Sequence, residues 1–256
     1  MRPADLERVK ALPLFSGASE RLFRDVLAGC FLQRFPAGTT LLMEGDPVDF
    51  LYVLMDGSVE LGASWNDKDT TLAILRPVST FILAAVILDA ESLMSARTID
   101  RSDILMVSGE AMRRAAGEDA AFGFAVAQEM AGCYRGLVRA IKNQKLRGGL
   151  ERLANYLITQ RLRQGGGATF TLPHEKRMLA SLLGMTPENF SRSLATLADY
   201  GVEIHGAEVT INRPATLERL AKPDPLIDNH QPVTDTVTGK AQRERWPLPN
   251  RDFRAA

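Results

Sequence analysis

Cysteine, histidine and tryptophan are scarce in this chain of 256 residues, which has two, three and two of them. Two cysteines, Cys30 and Cys133, cannot build a disulfide framework, and they lack the CxxC spacing of a structural zinc or redox site. The longest apolar run, residues 81–88, is far shorter than a bilayer span, and the first residues lack the apolar core of a signal peptide. The sequence therefore predicts a soluble, cytoplasmic protein with no membrane segment.

Enzyme motifs and surplus charge are missing as well. The chain has no phosphate-binding G-x-x-x-x-G-K-[ST], no H-E-x-x-H and no G-x-S-x-G motif. The 31 basic residues balance the 31 acidic ones, which by itself argues against a nucleic-acid partner. The charges are not evenly distributed along the chain, however. Residues 1–146 carry a net charge of −3, and residues 147–222 carry +3. The basic surplus therefore lies in the C-terminal part.

Turn and helix signals divide the chain into four parts. Residues 4–29 have apolar side chains at helical spacing, whereas residues 31–107 show short β-type runs separated by turns, as in a compact antiparallel barrel or sandwich. The Asp56–Gly57 step between two apolar runs predicts a hairpin. The predicted parts are a β domain with short N-terminal helices over 1–117, a long helix over 118–145, a helical unit over 146–222, and a polar tail over 223–256 that we expect to be disordered.

The long helix carries two apolar stripes with heptad spacing. We assign one stripe to a dimer interface with a second copy of the chain, and its members are Val126, Met130, Cys133 and Leu137. We assign the adjacent stripe to the β domain, and its members are Ala127, Ala131, Tyr134, Val138 and Ile141. The alternative is one helix buried on two sides of a single core. A buried thiol is the simplest role for Cys133, and a ligand or redox role is the alternative.

Residues 172–211 have the pattern of a helix-turn-helix followed by a β-hairpin. The first helix ends at Gly184, Thr186 is a natural N-cap for the second, and Pro187 suits its first position. The apolar stripe of the second helix consists of Phe190, Leu194 and Leu197. Its outward polar residues, which can reach base edges, are Thr186, Glu188, Asn189, Ser191, Arg192 and Thr196. From the first helix we expect Lys176 and Arg177 to contact the phosphate backbone.

The order of β domain, long helix and winged helix-turn-helix resembles the CRP/FNR superfamily of bacterial transcription regulators over residues 10–215. Residues 38–61 resemble the first β-roll repeat of that family, in which glycines permit tight turns. The matching residues are Gly38, Leu41, Gly45, Tyr52, Leu54, Gly57, Val59 and Leu61. In the second helix, Glu188, Ser191 and Arg192 match the E-x-x-S-R pattern of the FNR branch.

The resemblance implies an α+β protein with an N-terminal β-roll like the cyclic-nucleotide-binding jelly roll, a long dimerisation helix and a C-terminal winged helix-turn-helix. It further implies a homodimer that recognises a TTGA-N6-TCAA-like palindrome in double-stranded DNA, with RNA polymerase as a further partner and no enzymatic activity. An alternative function is a regulatory ligand-binding or protein-interaction module whose helix-turn-helix no longer binds DNA. The presence of Glu188, Ser191 and Arg192 favours DNA binding over that alternative.

The sensing half departs from the members of the family that bind cyclic nucleotides. Those members hold the ribose with Gly-Glu and neutralise the phosphate with Arg-Ser, whereas this chain has Leu83-Ala84 and no arginine directly before Ser95. Because a buried phosphate without a cation costs several kcal/mol, cyclic AMP is disfavoured, although Arg97 lies nearby in the sequence. An iron–sulfur cluster is disfavoured too, because a cubane needs four thiolates and the chain has two cysteines.

An apolar sensor remains as the hypothesis, and its effector is left open. Residues 81–86 and 93–98 look similar to the NnrR/DNR-like regulators, which respond to nitric oxide. The candidate effector pocket, for an apolar ligand or haem, consists of Phe81, Leu83, Leu93, Met94 and Tyr134, which could equally belong to the core. Haem meets one objection, because His174, His205 and His230 all lie outside the β domain. Its iron would need a cysteine, methionine, tyrosine, lysine or amine ligand.

Overall fold

The computed structural model describes residues 3–15 and 18–228 of the chain. Two short helices, α1 (Pro3–Lys10) and α2 (Glu20–Leu27), precede the first strand, as the apolar spacing predicts. Ser19 caps α2, because its side chain accepts a hydrogen bond from the Leu22 N–H at 3.2 Å. The apolar face of α2 is buried in the core of the β domain.

The β domain is built from two four-stranded antiparallel sheets around one apolar core. Its strands are β1 (Cys30–Phe35), β2 (Thr40–Leu42), β3 (Phe50–Asp56), β4 (Val59–Trp65), β5 (Lys68–Leu75), β6 (Ser79–Phe81), β7 (Ser95–Thr98) and β8 (Ser102–Ser108). One sheet has the order β1-β8-β3-β6 and the other β2-β7-β4-β5. Helix α3 (Leu83–Leu88) lies between β6 and β7, and α4 (Gly109–Glu118) follows β8.

The Asp56–Gly57 turn does not close a hairpin, so that prediction was wrong. Strand β3 pairs with β6 and β8, whereas β4 pairs with β5 and β7, and the turn therefore carries the chain from one sheet to the other. Gly57 is required there, because its φ is +91° and a side chain would collide with Ser102. The hairpin comes one strand later, where Asn66 and Asp67 have the positive φ values that a tight turn between β4 and β5 requires.

The long helix α5 (Ala120–Leu146) begins at Asp119, whose carboxylate accepts a hydrogen bond from the Phe122 N–H at 2.9 Å. Phe122 is fully buried and stacks on Phe15, with 5.9 Å between the ring centroids. This anchor sets the rotation of the helix against the β domain. Val126 and Met130, one and two turns further along, therefore also pack against the core of the β domain.

The sequence-based assignment of the two stripes of α5 is therefore wrong where the helix meets the β domain. Val126 and Met130, assigned to the dimer interface, face the β domain, whereas Cys133 and Leu137 of that set are exposed. The stripe assigned to the β domain is exposed along its whole length, and Phe124 extends it by one position. The assignment failed because both stripes have the same period, and only the buried Phe122 distinguishes them.

The C-terminal unit has its own apolar core and a three-stranded sheet of order β10-β11-β9. Its elements are α6 (Gly149–Arg163), β9 (Thr169–Thr171), α7 (Lys176–Leu182), α8 (Pro187–Thr196), β10 (Val202–His205), β11 (Glu208–Ile211) and α9 (Pro214–Ala221). The hairpin of β10 and β11 agrees with the prediction, whereas β9, which pairs with β11, was not predicted. Helix α7 begins at Lys176, because Glu175 is its N-cap, and Pro173 precedes the helix.

The expected disordered tail does not begin at residue 223. A short helix, α10 (Pro225–Asp228), follows α9, and its Ile227 is buried. The rest of the expected tail, residues 229–256, lies outside the described residues. None of the helices in the described part of the chain is both long enough and apolar enough to cross a membrane.

Candidate nucleic-acid interface

Helix α8 presents a polar face to solvent because its ends and its apolar face are fixed. Thr186 caps the helix by accepting a hydrogen bond from the Asn189 N–H at 3.2 Å, and Pro187 occupies the first turn. Phe190 is buried in the core of the C-terminal unit. The structure accordingly exposes all six side chains that the sequence assigns to base recognition: Thr186, Glu188, Asn189, Ser191, Arg192 and Thr196.

Hydrogen bonds hold the charged groups of this face in place. Arg192 donates from Nη2 to Oδ1 of Asn189 at 2.7 Å, and the Thr196 hydroxyl donates to the Arg192 carbonyl at 3.0 Å. The pKa of Glu188 is lowered, chiefly because its own backbone N–H and the Thr186 hydroxyl bind its carboxylate. The face therefore carries an ionised acceptor and a guanidinium with donors to spare, which suits cytosine N4 and the O6/N7 edge of guanine respectively.

A groove lies beside this face, between α8 and the β10–β11 hairpin. It has a volume of about 520 Å³ and its lining includes Lys176, Ser191, Glu203 and His205. Lys176 and its neighbour Arg177 are exposed at the start of α7. Both cations thus lie on the helix that crosses the phosphate backbone in a helix-turn-helix complex.

The C-terminal unit also packs against the β domain, a contact that the sequence did not predict. Helix α7 lies on the edge strand β5, and Oγ of Ser181 accepts a hydrogen bond from the Thr71 backbone N–H at 2.7 Å. Near this seam the Tyr156 hydroxyl and both ring nitrogens of His174 are buried and have no hydrogen-bond partner among the described residues. A buried polar atom without a partner costs free energy, so these three atoms oppose the burial of the two side chains that carry them.

Burial shifts the pKa values of Tyr156 and His174. It raises the pKa of Tyr156 to about 12, against which Arg76 acts. It lowers the pKa of His174, and Arg76 lowers that pKa further, whereas Asp100 and Glu60 oppose the shift. His174 is therefore the neutral imidazole near neutral pH.

The five residues of the candidate effector pocket do not line one enclosed space. Phe81 and Leu83 are buried in the core of the β domain, where the Phe81 ring stacks on Tyr52 at 5.3 Å between centroids. Met94 packs against the same core. Leu93 and Tyr134, by contrast, are 81% and 68% exposed. Phe81 and Leu83 are therefore part of the hydrophobic core of the β domain, which is the alternative to an effector pocket that the sequence left open.

Residues next to that run connect the β domain to α5. The Thr80 hydroxyl donates a hydrogen bond to the carboxylate of Glu129, which lies one turn before Cys133 on the helix. On the other side of α3, Arg113 donates to the Val86 carbonyl at 2.8 Å and pairs with Asp89 at 2.9 Å. Within the described ranges, no group of three or more histidine, cysteine, aspartate or glutamate side chains could hold a metal ion.

Comparison with known proteins gives two family matches. The cyclic nucleotide-binding domain matches residues 32–119, and the Crp-like helix-turn-helix domain matches residues 151–220. The chain is 25% identical over 194 residues to the CRP-like cAMP-activated global transcriptional regulator of Mycobacterium tuberculosis, covering 73% of this chain and 87% of that protein. It is 23% identical over 214 residues to the global nitrogen regulator of Nostoc sp. PCC 7120, covering 79% and 96%.

A solved structure shares the fold. FixK2 from Bradyrhizobium japonicum superimposes with a TM-score of 0.66 at 19% identity, covering 76% of this chain and 98% of that one. The β-roll, the long helix and the winged helix-turn-helix occur in this chain in the order that the sequence resemblance implies. The two matched domains, joined by α5, show that the chain belongs to the CRP/FNR family of transcription regulators.

Proposed function

We propose that the chain is a homodimeric regulator that recognises a TTGA-N6-TCAA-like palindrome through Glu188, Ser191 and Arg192. The observation that carries the proposal is the polar face of α8, on which all three side chains are exposed while Phe190 is buried beneath them. Arg192 reads guanine through its guanidinium, and Glu188 accepts from cytosine. Lys176 and Arg177 hold the phosphate backbone. Such recognition would put the protein in the cytoplasm, with RNA polymerase as its further partner.

The exposed stripe of α5 supports the dimer in this proposal. Its members recur with alternating spacings of three and four, and they are Phe124, Ala127, Ala131, Tyr134, Val138 and Ile141. These spacings are those of the a and d positions of a heptad, and a two-stranded coiled coil buries such a stripe. Two α8 helices from paired chains would then reach successive major grooves about 34 Å apart.

We propose further that the effector is not a cyclic nucleotide bound in the ordinary way. Leu83 replaces the ribose-binding motif, and its side chain is buried in the core. Arg97 lies on β7, opposite Glu60 of β4 in the strand register, so a carboxylate neighbours the arginine that could have met a phosphate. Nitric oxide acting through haem, with a role in denitrification, is the candidate that the NnrR/DNR-like stretches suggest.

Two measurements test these proposals separately. Fluorescence anisotropy with the palindrome and with a scrambled duplex tests recognition, and equal affinity for both would refute it. An anaerobic absorption spectrum of the protein mixed with haem, before and after nitric oxide, tests the effector. A stoichiometric haem band that shifts with the gas supports a gas sensor, whereas weak, nonstoichiometric absorption refutes it.

A further inference from the structure

The segment after the winged unit folds back onto the junction between α5 and α6. Ile227 of α10 is buried, and α10 packs against α5. Asp228 forms a two-fold ion pair with Arg147, the C-cap residue after α5, with Oδ1 and Oδ2 each 2.6 Å from a guanidinium nitrogen. The Arg147 and Asp228 side chains are only 7% and 20% exposed. This is a largely buried pair that joins residues 81 positions apart.

The remaining hydrogen-bonding capacity at this pair is also used. Arg147 donates to Oδ1 of Asn143 at 3.1 Å and to the Lys222 carbonyl at 3.2 Å. Asp228 accepts a further hydrogen bond from the Asp224 backbone N–H at 2.7 Å. Charges removed from water need such additional partners, because the ion pair alone does not offset their desolvation.

A second arginine connects this junction to the helix-turn-helix. Arg152 of α6 donates to the Arg147 carbonyl at 2.6 Å and to the Leu183 carbonyl at 2.8 Å, at the turn between α7 and α8. At the same turn, a side chain on Gly184 would come within 2.6 Å of the Gln144 amide of α5. The last turn of the long helix therefore lies directly against the turn that leads into α8.

From these contacts we propose that residues 224–228 form a C-terminal clamp, in which Asp228 and Arg147 are positioning residues that fix the direction of α8 relative to α5. The clamp lies at residues 147–148, through which the chain passes from α5 into α6 of the C-terminal unit. Its consequence for DNA rests on the proposed function, since two α8 helices must keep a fixed separation to fit one palindrome. A loosened clamp lowers the fraction of molecules in the competent arrangement, and the apparent affinity falls by the same factor.

The test compares D228N with K222Q in the full-length protein. The Asn side chain keeps the size of Asp228 but leaves the Arg147 guanidinium without its counter-ion. Lys222 offers Arg147 only its backbone carbonyl, which K222Q retains. Its side chain is 75% exposed and pairs with Glu151, not with a residue of α5. Because exposed pairs contribute little, K222Q is the matched control.

Trypsin cleavage after Arg147 reports on the clamp without any DNA. In the wild type this side chain is held by Asp228, so the bond is protected, and D228N should be cleaved roughly tenfold faster with K222Q unchanged. On DNA, D228N should bind the palindrome about tenfold more weakly and lose preference for a six- over a seven-base-pair spacer. R147K keeps the charge but cannot form the two-fold contact. It should therefore also be cleaved faster and bind the palindrome more weakly than the wild type.

The outcomes distinguish a failure of the clamp from a failure of the proposed DNA recognition. Equal cleavage of wild type, D228N and R147K would overturn the clamp. If D228N fails to fold by circular dichroism, R147K supplies the same comparison. If the wild type binds no palindrome, the proposed function fails, and the cleavage rates still decide whether the clamp exists. Faster cleavage with unchanged spacer preference would overturn the positioning role.

Discussion

The backbone N–H of Thr71 and the side chain of Ser181 form a hydrogen bond of 2.7 Å between the β domain and the C-terminal unit. Thr71 lies on β5, the edge strand of its sheet, and Ser181 lies on the first helix of the helix-turn-helix. An edge strand offers unpaired backbone groups, and α7 covers part of this one. An effector that changes the β domain can therefore act on the C-terminal unit directly, provided it binds one arrangement better than the other.

Acid should weaken this docking through His174. Burial lowers the pKa of His174 in the docked arrangement, whereas an undocked imidazole keeps its ordinary value of 6.5. The undocked state therefore binds more protons as the pH falls, so the free energy of docking is largest above about pH 6.5 and decreases as the pH drops below it. Arg76 strengthens this trend, and the carboxylates of Asp100 and Glu60 oppose it.

The measurement is amide hydrogen exchange at Thr71 between pH 7.5 and 5.5, corrected for the intrinsic rate. We expect protection of this amide to fall with pH in the wild type and to become independent of pH in H174Q, which cannot take up the proton. Protection that stays constant with pH in the wild type would contradict the role of His174.

Dimerisation should depend on the exposed stripe of α5. V138D places a carboxylate in the middle of that stripe, and burying it against a second helix is prohibitive, so sedimentation should show monomers. G136D is the matched control, because it adds the same charge to the same helix at a position where a side chain meets nothing within 4 Å. A V138D protein that remains dimeric would show that another face of the molecule pairs.

Asn189 should contribute to DNA affinity through Arg192. The hydrogen bond from Arg192 to Oδ1 of Asn189 holds the guanidinium before DNA is bound. N189A should therefore weaken palindrome binding about three- to tenfold, and this loss should shrink in an R192A background. A double-mutant cycle by fluorescence anisotropy measures the difference. Additive losses would mean that Asn189 acts independently of Arg192.

The two cysteines should differ in reactivity. Burial raises the pKa of Cys30 to about 12, and its thiol donates to the Val26 carbonyl at 3.2 Å. At pH 8 only about one Cys30 in ten thousand is then a thiolate, so alkylation should be very slow. Partial burial and the Glu129 carboxylate raise the pKa of Cys133 as well, but this side chain is exposed and therefore serves as the internal comparison. Mass spectrometry after iodoacetamide treatment measures both, and equal rates of modification would contradict the raised pKa.

Features specified by neighbouring residues could be predicted from the sequence. Thr186 and Pro187 define the start of α8 locally, and the stripe that contains Phe190 defines which face is buried. The order of the β-roll, long helix and winged unit follows from turn signals and helical spacing in the same way. The exposure of the polar face of α8 could therefore be predicted from the sequence.

Features that depend on distant partners could not be predicted. The Asp56–Gly57 step has the composition of a hairpin turn, but strand pairing is decided by β8, which lies almost fifty residues away. The two stripes of α5 have the same period, so their roles depend on the packing of Phe122. The ion pair of Arg147 and Asp228 joins residues 81 positions apart, and no pattern in the neighbouring sequence predicts it.

DNA binding by R192A shows whether α8 recognises guanine through Arg192. Removing the guanidinium should weaken binding to the TTGA-N6-TCAA palindrome by roughly 1–3 kcal/mol and abolish the preference for guanine at the contacted position. R219A, which removes an exposed arginine of α9 outside the polar face of α8, should retain wild-type preference. If R192A and the wild type bind the palindrome and its guanine-substituted variants with the same affinities, α8 does not recognise DNA through Arg192.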